Sequence, residues 1–169
     1  MKTKQKSRGF TLIETFVAIS VLLISLAGPL SIAATALKSA YVARDEITAF
    51  YLAQEGLEYA HAVRDENYLG STPWLTTLDG CINKYCNVDF PNFIRTIYNT
   101  SASVPALYFG GNNLYNTTSG GTVSPFKRYM TITNVAGTDD EVIVRVTVSW
   151  VTAGISRSFT LSEHLFNWL

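Results

Sequence analysis

Charge is scarce in this sequence: Asp, Glu, Lys and Arg together make up 15% of 169 residues, which is low for a water-soluble protein of that length. Histidine and cysteine are scarcer still, with two of each. A zinc centre on Cys81 and Cys86 would need two further ligands, and His61 and His164 lie far away in sequence. No nucleophile elbow, HExxH or glycine-rich phosphate loop occurs. His164 follows a carboxylate in Ser162-Glu163-His164, yet like His61 it reads as a surface residue. The parts of an enzyme are missing, so neither a catalytic residue nor a cofactor is expected.

Clustered positive charge is missing from most of the chain as well. Four of the 13 basic residues, Lys2, Lys4, Lys6 and Arg8, precede Phe10, and no acidic residue does. Without that stretch, 9 basic residues face 13 acidic ones. A mildly acidic remainder offers no footprint for nucleic acid, whose binding needs grouped Lys and Arg. No nucleic-acid partner is expected.

What is present is one long apolar run. Between Glu14 and Lys38 lie 23 uncharged residues. At 1.5 Å per residue they form a helix of about 34 Å, enough to cross a hydrocarbon layer of about 30 Å. The basic leader 1–9 would stay in the cytoplasm by the positive-inside rule, which turns the rest outward. A secretory signal carries its small-residue cleavage site after the apolar run, whereas here Gly9 stands before it. Cleavage after Gly9 would keep the helix on the mature chain. An uncleaved signal anchor shares the basic flank and the span. It has no use, however, for Glu14, a carboxylate at the apolar edge that is costly unless paired.

The hexapeptide Gly9-Phe10-Thr11-Leu12-Ile13-Glu14 resembles the prepilin peptidase site of type IV pilins and type II secretion pseudopilins. The resemblance implies cleavage between Gly9 and Phe10, N-methylation of Phe10, and pairing of Glu14 with the terminal amine of an adjacent subunit. It also implies four partners: the peptidase-methylase, an assembly platform, the inner membrane and other pilins. The implied location is a single-pass inner-membrane precursor with its C-terminal domain outside, later built into a pilus or pseudopilus. Gly28-Pro29 is expected to break or loosen the helix; a tolerated transmembrane proline is the alternative.

Residues 38–68 extend the helix. Val42, Ala49, Ala53, Gly56, Leu57, Ala60 and Val63 share one face, with Arg44, Glu55 and Glu58 opposite. The predicted helix runs from about residue 11 to 63. Residues 53–58 and 64–68 resemble a segment of minor pilin-like proteins.

Residues 69–126 are dense in Gly, Ser, Asn and Thr and read as irregular. They hold Cys81 and Cys86, whose C-x4-C spacing predicts a disulfide in an exported domain, with two free thiols as the alternative. The triplets starting at Asn99 and Asn116 match a glycosylation acceptor, a pattern that also arises by chance. Residues 127–169 alternate as an antiparallel sheet, with strands expected over 127–135, 141–151 and 155–161. Val146 to Trp150 and Arg157 to Leu161 resemble closing strands of minor pilins and the minor pseudopilin.

The expected fold is therefore α+β, a long hydrophobic helix packed on a C-terminal meander. The expected function is that of a minor pilin-like structural subunit. The alternatives are a minor pseudopilin of type II secretion, or a membrane-anchored adhesin or DNA-uptake receptor.

Overall fold

The computed structural model describes residues 9–90, 92–111, 113–118 and 120–168. The chain forms two compact units, Met1–Tyr41 and Val42–Leu169. The leader residues Lys2, Lys4, Lys6 and Arg8 lie outside the described residues.

The first unit is helical from Leu12, within α1 (Leu12–Leu69). Its large apolar side chains, from Phe10 through Leu37, are exposed. Four of its hydroxyls bond to the helix's own backbone: Thr15 donates to the Leu12 carbonyl, Ser20 to Phe16, Ser25 to Leu22 and Thr35 to Ser31. Such self-satisfied polar groups are what an apolar surrounding demands of a helix. The expected break at Gly28-Pro29 is corrected here, because α1 runs through Pro29 without interruption. Proline withdraws one donor from the backbone ladder, and the complete turns on either side hold the helix.

In the second unit, residues 42–69 of α1 lie on a five-stranded antiparallel sheet of order β2-β1-β6-β7-β8. Its strands are β1 (Tyr85–Asp89), β2 (Ile94–Tyr98), β6 (Lys127–Asn134), β7 (Glu141–Thr152) and β8 (Ile155–Phe166). Three short strands, β3 (Tyr108–Phe109), β4 (Tyr115–Asn116) and β5 (Thr122–Val123), form a second small sheet. Ala49, Ala53, Leu57, Ala60 and Val63 of α1 bury against Met130, Ile132 and the alternate valines 142, 144, 146 and 148. Alternation on β6 and β7 thus delivers one apolar face, and α1 covers it. At Gly56 the helix packs tightly on the sheet, since a Cβ there would lie 2.7 Å from Val146 Cγ1.

Three expectations are corrected in this unit. Residues 69–126 are not irregular throughout: β1 and β2 add two strands to the main sheet. The helix ends at Leu69, one residue past the expected 38–68 extension and beyond the end near 63 drawn from its apolar face. There Asn67 accepts the Thr72 hydroxyl on its carbonyl and donates its amide to the Trp74 and Thr76 carbonyls, fixing the exit loop. Glu55 faces Arg128 of β6 rather than solvent.

Candidate functional site

The N-terminal site is built on a helix cap. Thr11 precedes the first turn of α1, its hydroxyl accepting from the Glu14 amide at 3.3 Å. Its carbonyl accepts the amides of Glu14 and Thr15 at 3.1 and 3.2 Å. Thr11-Leu12-Ile13-Glu14 is thus the threonine-x-x-glutamate pattern of a helix start. This local role was missed in the sequence, although the spacing carries the signal. The helix N-terminus also favours a carboxylate in its first turn. Glu14 is exposed and forms no ion pair among the described residues. Gly9 and Phe10 are exposed and precede the helix, so the Gly9–Phe10 peptide bond is not locked into helical hydrogen bonding.

These residues make one linear constellation. The Gly9–Phe10 peptide bond lies in exposed backbone before the helix, Thr11 caps the helix beyond it, and the exposed Glu14 carboxylate follows one turn on. A helix of α1's composition and length can cross a membrane.

In the second unit the cysteine pair closes as a disulfide between Cys81 and Cys86, Cα atoms 5.6 Å apart. Both residues are buried. The bond staples the entry of β1 to the sheet, where Cys86 pairs with Met130 and the Asn83 amide donates to the Ile132 carbonyl.

Arg128 is the principal residue that sequence reasoning passed over. It is 0% exposed, donates to the Leu52 and Val88 carbonyls, and lies 3.1 Å from the Glu55 carboxylate. The signal was its place in register, since 128, 130 and 132 share the apolar face of β6. The histidines pair with carboxylates: His61 on α1 with Glu163 on β8 at 3.2 Å, and His164 with Glu141 across β8 and β7. No group of three or more His, Cys, Asp or Glu suited to a metal ion occurs among the described residues. Burial pushes the phenols of Tyr59 and Tyr115 above their ordinary value.

Asn99 is exposed at the end of β2, and Asn116 is half-buried in β4.

A family model described as the prokaryotic N-terminal methylation motif matches residues 4–28. That span takes in Gly9, Phe10, Glu14 and residues 15–28 of the apolar run. No curated protein and no solved structure matches the chain.

Proposed function

We propose that this chain, whose residues 4–28 match a prokaryotic N-terminal methylation motif, is a structural subunit of a type IV pilus or pseudopilus. The precursor inserts α1 in the inner membrane with residues 42–169 outside. A prepilin peptidase cuts between Gly9 and Phe10 and methylates the new amine of Phe10. The mature subunit then passes from the membrane into the fibre through the assembly platform.

The observation that carries this reading is the capped, exposed start of α1 followed by residues 15–37 without a charge. Glu14 acts by pairing with the methylated amine of a neighbouring subunit. Two opposite charges in a low-dielectric helix bundle each need the other, and their pairing fixes the axial register of adjacent helices.

Within this reading the subunit is a minor pilin that primes, caps or decorates the fibre, as the likeness of residues 53–58 and 64–68 to minor pilins supports. A minor pseudopilin of type II secretion shares every one of these parts. The test is incorporation: sheared fibres probed for this chain should contain the wild type and lack Glu14→Ala, whose precursor is still trimmed. Equal incorporation of Glu14→Ala would refute the assembly role.

A further inference from the structure

The hairpin that joins β7 to β8 carries no charge from Val146 to Ser156, with Arg145 and Arg157 the nearest charged residues on either side. Its turn has two residues: Thr152 pairs with Ile155, and Ala153 and Gly154 between them have positive φ, 52° and 79°. At this tip Val151 is 55% exposed and Ile155 51%. They stand on opposite faces of the ribbon, because Val151 pairs with Ser156, one step back from the Thr152–Ile155 rung. A partner lying flat on the sheet would cover one of them and leave the other wet. An end-on approach to a surface covers both.

The polar groups at this end are engaged within the fold. The Thr152 hydroxyl donates to Asp45 Oδ2 at 2.6 Å, Arg44 lies 2.9 Å from Asp45 Oδ1, and Arg157 lies 3.1 Å from Glu46. Toward the other end of β8, Glu163 meets His61. From 163 back to 155 the strand therefore runs toward Val42, where the second unit begins, and the turn lies beyond the Arg157–Glu46 contact. Val42 follows Leu37, the last residue of the uncharged run, by five residues. Five residues of helix rise about 8 Å, and the headgroup layer on one side of a bilayer is about 5–8 Å deep. Lys38 and Tyr41, in that interval, are of the types that settle in such a layer.

We infer that the β7–β8 tip inserts Val151 and Ile155 into the headgroup layer of the membrane that holds α1. A lipid surface is the occupant that the chain itself brings to the hairpin, and a charge-free tip with exposed apolar side chains on both faces suits it. The inference rests on the membrane-inserted precursor of the fibre reading and adds to it a second foothold, through the folded domain. Covering these side chains with lipid opposes lifting the subunit out. Departure for the fibre then requires freeing the tip as well as α1.

The test places an NBD fluorophore on a single introduced cysteine in the full chain, reconstituted in vesicles of phosphatidylethanolamine and phosphatidylglycerol. Cys81 and Cys86 are bonded to each other and leave the label to the new thiol. The vesicles also hold a phosphatidylcholine spin-labelled near the headgroup end of its acyl chain, which quenches only nearby NBD. Three positions are compared: Ala153 at the tip, Ala136 between β6 and β7 at the far end of β7, and Ala34 in the uncharged run. Quenching is expected at 153 and 34 and not at 136. Adding Val151→Asp with Ile155→Asp should abolish it at 153 while the near-UV circular dichroism stays unchanged. Quenching at 34 but not at 153, or quenching at 153 that survives both aspartates, overturns the tip contact and leaves the membrane reading standing. No quenching at 34 overturns the membrane reading and this contact together.

Discussion

Arg128 on β6 is wholly buried, and its guanidinium lies 3.1 Å from the Glu55 carboxylate on α1. The pair joins helix to sheet with two further bonds, from Arg128 to the carbonyls of Leu52 and Val88. Removing one member strands the other. Arg128→Ala is expected to cost about 3–5 kcal/mol of stability, read as a lower urea midpoint for the full chain in detergent. Arg128→Met with Glu55→Met leaves no buried charge behind and should cost less than Arg128→Ala alone. Equal midpoints for Arg128→Ala and the wild type would remove this tie from the account.

Gly56 has no room for a methyl group, given Val146 Cγ1 at 2.7 Å from the ideal Cβ position. Gly56→Ala should destabilise by about 1–3 kcal/mol through overpacking. Adding Val146→Ala should return part of that loss, which a double-mutant cycle on thermal unfolding would reveal as coupling.

The Cys81–Cys86 bond closes a loop of sequence separation 5. For so short a loop the chain-entropy contribution is about 2 kcal/mol. Replacing both residues by serine should lower the unfolding midpoint accordingly while the α1 helix signal in the far-ultraviolet persists. Protein isolated without reductant should give no free thiol with a maleimide probe after denaturation.

High pH should loosen the second unit. The Tyr59 and Tyr115 phenols are raised above 10.0 in the fold, chiefly by burial. Above the unfolded value the unfolded chain gives up its phenolic protons more readily than the folded one. Stability is therefore intact below about pH 10 and falls as pH rises beyond it. Tyr59→Phe and Tyr115→Phe together should flatten that decline in an alkaline unfolding series monitored by tyrosinate absorbance.

The parts with a single dominant period were legible in the sequence. The uncharged run and the Val142 to Val148 alternation each present one clean pattern, and both elements appear where the pattern placed them. β1 was not legible because it is buried on both faces, with Asn87 and Asp89 as covered as Cys86 and Val88. Polar residues there hide the strand's period and make it look like loop. β8 runs on to Phe166, beyond the expected end at 161, because these residues continue the ladder with β7, Leu165 joins the core, and Glu163 and His164 pair with His61 and Glu141. Gly9, Phe10 and Glu14 stood out in the sequence because their motif is local, whereas the capping role of Thr11 was passed over. The Arg128–Glu55 tie was not, since it joins positions far apart in sequence.

The central claim is that the apolar helix is retained after trimming at Gly9. Intact-mass and peptide mass spectrometry of the chain from cells with an active prepilin peptidase tests it directly. The account predicts a mature chain that begins at methylated Phe10, and uncut precursor for a Gly9 substitution by a bulkier residue. A leader still attached to the wild type, or a terminus lying beyond residue 37, would contradict it.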